Sequence, residues 1–562
     1  MSDTQQPPPL AMSGSRPPPA DYDMTGLQRA KMIWEGNFCG PLAEWPADQP
    51  KIENIKAVLA PCLRQLSGYP PDKHITNLDE CLDVTFFAQG AWNKVFLVLD
   101  KTATPVRELI FRVSLPVYPW YKTEAEVATL KFVTAHTAIP APHVYAYDSS
   151  ADNPIGYEWI LMQRMPGVPY DSVQDGISQA DNLAMARELA GWADQLSRHR
   201  FDSVGSLYTH RNNNNCVNDG DGATATMEHE NTLPNGLNIG RPILQQFMSD
   251  WRHSYRHWRG PFRDLHSYIR SLLDCQANEL LDPRQRIRYA IDIRRNQLLD
   301  VKGSKNNGQD NVASAQFDEQ VQQLEAKYKD LVSSSTAADD SAVDFETCRY
   351  QYAVPRYWGY MTPTNNDAFA RQVLLTRLGA LVDTLPDAEL GKEDAVLHHW
   401  DMSGTNILVD PLPPHRVTAL VDWEQLHTVP LALVGSRYPA VMQRGLAGLP
   451  DMEAAPAPEE WQLLGDEWDK QQMREEFDQE LRRLESPWAR VALDSVDEVP
   501  RPPAAGAQDF CPWCGQVHEI SPHGIAMDIV GLAQGRGECC CGALEKLEKA
   551  VAEEGQGKAD GN

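Results

Sequence analysis

More than any other segment, residues 399–406 indicate how this chain folds; they read His-Trp-Asp-Met-Ser-Gly-Thr-Asn. An apolar run at residues 407–409 follows, and after a Pro-rich turn a second apolar run at 417–421 leads directly into Asp422. Two short apolar runs joined by a turn predict a β-hairpin. Such a hairpin would bring Asp422 back beside Asn406, close to the loop that carries Asp401.

Asp401, Asn406 and Asp422 have the side-chain chemistry that phosphoryl transfer requires. A carboxylate orients the attacking hydroxyl or accepts its proton, and oxygen ligands hold Mg²⁺ against the phosphates. Carboxylate and amide oxygens suit Mg²⁺ better than zinc. We therefore expect Asp401 to be the catalytic residue and Asn406 and Asp422 to bind Mg²⁺. An Asp and an Asn that merely cap turns are the alternative.

Residues 397–401 (Leu-His-His-Trp-Asp) and 422–424 (Asp-Trp-Glu) resemble the catalytic loop and metal-binding hairpin of the aminoglycoside phosphotransferase family. The similarity is to the fungal branch of that family, within the protein-kinase-like superfamily. The resemblance implies an α+β, two-lobed protein-kinase-like fold. A small antiparallel β lobe at residues 80–165 would bind the nucleotide, and a larger helical lobe at 166–490 would carry the catalytic loop. It also implies transfer of the γ-phosphoryl group of ATP to a hydroxyl of an unidentified small molecule.

The N-terminal part of the chain is similar to the same family. Residues 89–96 lie between two β-rich stretches and resemble the nucleotide-covering loop, which implies nucleotide contacts at Gly90, Asn93 and Lys94. Residues 110–113 (Ile-Phe-Arg-Val) resemble the strand with the phosphate-binding lysine, and Arg112 stands in its place. Arginine keeps the positive charge and can donate two parallel hydrogen bonds to phosphate oxygens.

Two further segments extend the resemblance. On the helix that begins near residue 123, the family's pattern assigns Glu126 to an ion pair with Arg112, with Glu124 as the alternative. Residues 159–167 resemble the hinge between the lobes, where the backbone of Gln163 and Met165 would hydrogen-bond adenine. A core strand that ends in a turn is the simpler interpretation of this segment.

Other classes of protein remain open at this stage. Trp400 replaces a small residue of the family, and Arg112 replaces a lysine. These departures, with the extra C-terminal segment, are the reason to keep a nucleotide-binding pseudokinase that acts as a scaffold as the alternative. An atypical protein kinase is a third possibility, although Trp423-Glu424 follows Asp422 where protein kinases have Phe-Gly and no activation segment is visible.

The C-terminal segment contains a compact group of cysteines. Cys511 and Cys514 form a close pair, and Cys539 and Cys541 follow about 25 residues later. Four thiolates from two pairs can bind zinc in a tetrahedral site. A redox-active pair and free thiols are the alternatives.

Composition narrows the remaining choices. The chain has 562 residues and a net charge of −27 without a basic stripe, so we expect no nucleic-acid partner. It has no apolar stretch long enough to span a bilayer and no secretion signal, so we expect a cytoplasmic protein without a membrane partner. Residues 1–25 read as a disordered tail, 498–509 as a linker and 510–562 as the Cys-rich module. The phosphate acceptor and the oligomeric state cannot be read from the sequence.

Overall fold

The structure is a computed structural model that describes part of the chain. The described residues are 33–37, 40–46, 49–66, 78–209, 237–248, 252, 255, 257–282, 319, 322, 323, 326, 379, 380, 382, 395–434, 438–443 and 458–492. The predicted tail, the linker and the Cys-rich module lie outside these residues. The four cysteines predicted to bind zinc therefore lie outside them too.

The described residues form fifteen strands, nine α-helices and three short 3₁₀-helices. The strands are β1 (Ile33–Asn37), β2 (Gly40–Glu44), β3 (Leu82–Gln89), β4 (Asn93–Asp100), β5 (Arg107–Ser114), β6 (Val144–Asp148), β7 (Glu158–Gln163), β8 (Val168–Pro169), β9 (Arg200–Phe201), β10 (Ser206–Tyr208), β11 (Asn238–Gly240), β12 (Ala395–His398), β13 (Ile407–Val409), β14 (Val417–Leu420) and β15 (His427–Pro430). The helices are α1 (Ile52–Gln65), α2 (Leu78–Cys81), α3 (Tyr121–His136), α4 (Gln179–Ser197), α5 (Gln245–Met248), α6 (Leu265–Leu281), α7 (Leu431–Val434), α8 (Pro458–Arg483) and α9 (Pro487–Ala492). The 3₁₀-helices are Tyr170–Ser172, Gln174–Gly176 and Ala440–Met442.

A five-stranded antiparallel sheet forms the N-terminal lobe. Its strand order is β3-β4-β5-β7-β6, and β5 lies at its centre. The predicted α+β fold, with a small antiparallel lobe and a larger lobe that contains helices, is confirmed. Strand β6 was not predicted, because Pro140 and Pro142 precede it and its five residues are too short for a clear pattern.

Two helices cover this sheet and fix its central strand. Helix α1 packs against the sheet through Ile55, Leu59 and Leu63, which are all buried. Helix α3 follows β5 and is buried along most of its length. Because a helix that is buried on most sides must be enclosed by other elements, α3 lies at the junction between the sheet and the rest of the molecule.

The C-terminal lobe is built around helix α4. The Ser178 hydroxyl accepts a hydrogen bond from the Asp181 amide and thereby caps the N-terminus of this helix. Helix α8 is highly charged, yet Met473, Phe477 and Leu481 are buried in the core that α4 shares. These three residues are four apart, so they form one stripe along the helix and bury it on that side.

Short hairpins of this lobe hold the candidate site. Strand β13 pairs with β14 on one side and with β8 on the other, so the hairpin is attached to the segment that joins the lobes.

No helix among the described residues is long and apolar enough to cross a membrane.

Candidate active site

The loop between β12 and β13 holds Asp401 at the protein surface. Its side chain is exposed, whereas Asn406 is only 8 % exposed. The Asn406 amide nitrogen donates to the Asp401 carboxylate at 2.8 Å and to the Asp401 carbonyl at 3.0 Å. These two bonds fix the amide. Its oxygen accepts a hydrogen bond from the Thr405 hydroxyl at 3.4 Å and keeps a second lone pair for another ligand.

The β13–β14 hairpin brings Asp422 next to this loop, as its register requires. Ile407 pairs with Leu420, and the Val421 amide donates to the Asn406 carbonyl at 3.0 Å. Asp422 then adopts a left-handed backbone with φ of 64°. Its side chain keeps 38 % of its surface accessible and lies on the side of Arg112, at 3.8 Å.

A glycine in the loop lies close to the segment that follows β8. The Asp171 amide donates to the Gly404 carbonyl at 3.1 Å. A Cβ atom on Gly404 would lie 1.8 Å from an Asp171 carboxylate oxygen and 3.0 Å from the Tyr170 ring, so a larger residue would require the Asp171 side chain to move. This contact anchors the loop to the segment that follows β8.

On the N-terminal side, Arg112 of β5 forms an ion pair with Glu126 of α3. Both side chains are almost fully buried, with 7 % and 2 % of their surface exposed. Glu124 instead accepts a hydrogen bond from the Ser149 hydroxyl at 2.7 Å. The structure therefore pairs Arg112 with Glu126, as the family's pattern assigned, and not with the alternative Glu124.

Arg112 also reaches towards the hairpin of the other lobe. Its Nη1 lies 3.8 Å from an Asp422 oxygen and 3.6 Å from a Glu424 oxygen. The surrounding protein withdraws Asp422 from bulk water and raises its pKa, and Glu424 adds to the rise while Arg112 opposes it. Because 38 % of this side chain stays accessible, a cation bound beside it would oppose the rise.

Lys122 and Glu424 are the charged residues that the sequence analysis missed. Lys122, the second residue of α3, is 1 % exposed, and its Nζ lies 2.8 Å from a Glu424 oxygen. The Asn93 amide donates to the same oxygen at 2.6 Å. Burial opposes the charge on Glu424, but Lys122 and Arg112 outweigh it and lower the pKa of this carboxyl. A second acid two residues after Asp422 was the one sequence signal that a buried cation must lie nearby.

The turn between β3 and β4 carries the three predicted loop residues, and they differ in surroundings. Gly90 is exposed, and its amide donates to the Asn93 carbonyl at 2.9 Å, which closes the turn. The Asn93 side chain points into the protein towards Glu424. Lys94 donates to the Gln49 carbonyl at 2.7 Å, and its Nζ lies 5.0 Å from the centroid of the Trp45 ring. The Asn93 and Lys94 side chains thus bind other parts of the protein, and Gly90 alone of the three is exposed at the turn.

The two predicted hinge residues also differ. The Gln163 amide donates to the His143 carbonyl at 2.8 Å. The Met165 amide has no hydrogen-bond partner among the described residues. Of the two, Met165 therefore has the backbone donor that an adenine ring could use.

Trp400 packs beside the loop rather than over Asp401. Its ring stacks on His427 at a centroid distance of 5.3 Å, and its Nε1 donates to His427 Nε2 at 3.1 Å. Burial lowers the pKa of His427 and of His399 to about 4, so both imidazoles are neutral near pH 7. Neutral His399 can accept the Asp401 amide, whose nitrogen lies 3.3 Å from its Nδ1.

The donor set fits Mg²⁺ bound together with nucleotide phosphates. Asn406 presents an amide oxygen and Asp422 a carboxylate, and Mg²⁺ commonly takes one or two protein ligands and completes its shell with phosphate and water. Within the described ranges, no group of three or more His, Cys, Asp or Glu side chains could hold a metal ion alone.

Comparison with known families agrees with this architecture. Residues 83–287 match the model of the phosphotransferase enzyme family. This range runs from β3 to the end of α6 and contains Arg112, Lys122 and Glu126. The resemblance to the aminoglycoside phosphotransferase family is thereby confirmed for this part of the chain, whereas the loop that carries Asp401 lies beyond it.

Individual relatives cover less of the molecule. A subtelomeric hrmA-associated cluster protein, present in two strains of Aspergillus fumigatus, is 34 % identical over 132 residues, which is 23 % of this chain and 25 % of that protein. The chain thus aligns with only about a quarter of the length of these curated relatives.

Two solved structures are similar at low identity. Aminoglycoside phosphotransferase APH(4)-Ia is 13 % identical, with 75 % of this chain and 97 % of that chain covered and a TM-score of 0.29. A microcompartment-associated aminopropanol kinase is 13 % identical, with 89 % and 98 % covered and a TM-score of 0.30.

Proposed function

We propose that this protein is a small-molecule kinase that transfers the γ-phosphoryl group of ATP to a hydroxyl group. The observation that carries the proposal is the convergence of the two lobes. Arg112, braced by Glu126, lies 3.8 Å from Asp422, although more than 300 residues of sequence separate them. Asn406 and Asp401 adjoin Asp422 through the hairpin. The match of residues 83–287 to the phosphotransferase family supports the same reaction class.

In the proposed reaction, Asp401 receives the hydrogen bond of the acceptor hydroxyl and takes its proton as the oxygen attacks the γ-phosphorus. The bond between that phosphorus and the β–γ bridging oxygen breaks, and ADP leaves. Arg112 holds phosphate oxygens, and Glu126 keeps its guanidinium in place. Mg²⁺ bound at Asn406 and Asp422 would neutralise phosphate charge. Most of the rate enhancement would come from positioning and from charge stabilisation.

The nucleotide base would lie between the turn at Gly90 and the hinge, where the Met165 amide is available. The acceptor would approach Asp401 from the exposed side of the loop. We leave its identity open, because the net charge of −27 is compatible with a cationic acceptor but does not require one. We assign the reaction to the cytoplasm, consistent with the reduced thiols of Cys62 and Cys81.

A screen for ATP-dependent phosphorylation of hydroxylated metabolites tests the proposal. The panel should include amino sugars, amino alcohols and neutral polyols. We expect turnover by the wild type and at least about 10²-fold lower turnover by Asp401→Asn or Asp422→Asn, each with a wild-type unfolding midpoint. Asp410→Asn, on the same hairpin but beyond β13, is the matched control and should turn over normally.

Two outcomes would contradict the proposal. Full turnover by Asp422→Asn would remove the metal assignment. Binding of Mg·ATP without turnover of any acceptor would favour a nucleotide-binding scaffold instead.

A further inference from the structure

Lys122 occupies an unusual place for a lysine near the start of a helix. It is 1 % exposed, and the ammonium group has three polar neighbours. Its Nζ lies 2.8 Å from the Glu424 carboxylate, 2.9 Å from the Asn93 side-chain oxygen and 3.3 Å from the Ser114 hydroxyl. An ammonium group has three N–H donors, so these contacts use all of them.

The partners of Lys122 come from three different parts of the chain. Asn93 is the first residue of β4 and closes the Gly90 turn. Ser114 is the last residue of β5, two positions after Arg112. Glu424 lies two positions after Asp422. Lys122 therefore connects the nucleotide turn and the phosphate-side strand to the loop that carries the predicted metal ligand.

Direct bonds between the partners close the network. The Ser114 hydroxyl donates to the Asn93 side-chain oxygen at 2.9 Å, and the Asn93 amide donates to Glu424 at 2.6 Å. Asn93 is 8 % exposed and Glu424 is 6 % exposed. Because these groups are withdrawn from water, the network has few alternative arrangements and should hold its members in one geometry.

The charge on Lys122 preserves the ion pair between Arg112 and Glu126. Without Lys122, the nearest cation to Glu424 is Arg112, whose Nη1 is 3.6 Å away. A buried carboxylate without a partner is costly, so Glu424 would compete with Glu126 for that guanidinium. Lys122 neutralises Glu424 and leaves Arg112 available for Glu126 and for phosphate.

We propose that Lys122 is a positioning residue that holds Glu424, and with it the Asp422 loop, against the Asn93 end of the nucleotide turn. The proposal rests on the proposed kinase function, since the geometry it maintains is that of the metal and phosphate site. Lys122 does not bind phosphate itself, because its donors are occupied and its surface is covered. Its loss should weaken Mg²⁺-dependent nucleotide binding more than nucleotide binding without metal.

The test is titration of the full-length protein with the nonhydrolysable nucleotide AMP-PNP, with and without Mg²⁺. Removal of a group that orients a metal ligand commonly lowers metal affinity by about 10- to 100-fold. We expect Lys122→Met to raise the Kd for Mg·AMP-PNP within that range and to change the Kd without Mg²⁺ much less. The matched control is Lys131→Met on the same helix, where Nζ lies 5.3 Å from the Tyr147 ring centroid, away from this network.

A second pair of variants separates positioning from folding. Lys122→Met leaves Glu424 unpaired and could unfold the protein, so Lys122→Met/Glu424→Gln removes both charges and keeps a side chain that Asn93 can bind. The double variant should fold, as judged by its unfolding midpoint, and should still bind Mg·AMP-PNP weakly. Glu424→Gln alone, which preserves the shape, should weaken Mg²⁺-dependent binding in the same direction.

The outcomes distinguish the two proposals. If the wild type shows no Mg²⁺-dependent nucleotide binding, the kinase function fails and the role of Lys122 falls with it. If the wild type binds but a folded Lys122 variant binds Mg·AMP-PNP as tightly, the positioning role alone is overturned. An equal loss with Lys131→Met would assign the effect to general destabilisation of α3, which also overturns it.

Discussion

The two sides of the candidate site are built in opposite ways. On the phosphate side, Arg112, Lys122, Glu126 and Glu424 are buried and bound to one another. On the acceptor side, Asp401 is exposed, and its loop is held by Asn406 and by main-chain bonds. Buried charges stabilise a structure only as complete sets, whereas an exposed carboxylate contributes little to folding. Changes on the phosphate side should therefore alter stability, and changes at Asp401 should alter activity alone.

The largest effect should come from Asp401→Ala on the acceptor side. Loss of a positioned proton acceptor typically lowers kcat by about 10²- to 10⁴-fold. Asn406 keeps its bond to the carbonyl of residue 401, so the unfolding midpoint should not change. Steady-state kinetics with a confirmed acceptor and thermal unfolding measure the two quantities. A lower midpoint would show that the acceptor side is also structural.

Arg112→Met should have the largest effect on stability. It leaves Glu126, which is 2 % exposed, without its cation, and breaking a buried pair in this way costs about 3–5 kcal/mol. Denaturant unfolding would measure the loss. The double variant Arg112→Met/Glu126→Leu removes both charges and should recover much of it. Wild-type stability in the single variant would contradict the contrast between the two sides.

Buried Glu158 should make the stability of the N-terminal lobe depend on pH. Burial raises its pKa from 4.5 to about 7, and one of its oxygens accepts the Trp120 amide at 2.6 Å. The native protein keeps a proton on Glu158 between these two pH values, whereas the unfolded chain releases it. The contribution of this group to stability therefore falls as pH rises from 4.5 to about 7 and levels off above that.

Glu158→Gln removes this titration and keeps an acceptor for Trp120. Between pH 5 and pH 7.5 the free energy of unfolding should fall more in the wild type than in the variant, by up to a few kcal/mol. Denaturant unfolding at the two pH values measures the difference. An identical pH dependence in both proteins would show that Glu158 is ionised in the native state.

The smallest effect should follow Trp400→Phe. The substitution keeps an aromatic ring against His427 and removes the Nε1 donor, and one such hydrogen bond contributes about 1 kcal/mol. Turnover should persist, because the ring lies beside the loop and does not cover Asp401. Markedly higher turnover in the variant would show that the tryptophan obstructs the acceptor side.

Most of the local structure could be predicted from patterns that depend on neighbours in sequence. The β-rich stretches on either side of Gly90 predicted β3 and β4, and the two apolar runs at 407–409 and 417–421 predicted the β13–β14 hairpin. The strand at residues 144–148 was missed because five residues after two prolines give too little periodicity. Helix α1 lies before residue 80, where the lobe was expected to begin, and it packs on the sheet through contacts distant in sequence.

The candidate site shows the same limit. The spacing of the motif predicted that a hairpin would place Asp422 beside Asn406 and near the loop of Asp401. A hairpin depends only on neighbours in sequence, so this part could be predicted. Lys122 was overlooked because a lysine in the first turn of a helix is usually solvated. Asn93 was expected to face nucleotide, yet its side chain points to Glu424, 331 positions away. The direction of a side chain next to a turn depends on such distant partners, which spacing along the chain does not reveal.

The left-handed backbone at Asp422 limits which residues can occupy that position. A φ of 64° is tolerated by Gly, Asn and Asp but costs other residues about 1–2 kcal/mol. Substitution by Ala or Val would thus add conformational strain to the loss of the carboxylate, and Asn is the cleaner probe. The same backbone in any related hairpin would be least strained with Gly, Asn or Asp at this position, so the fold itself biases the choice of residue there.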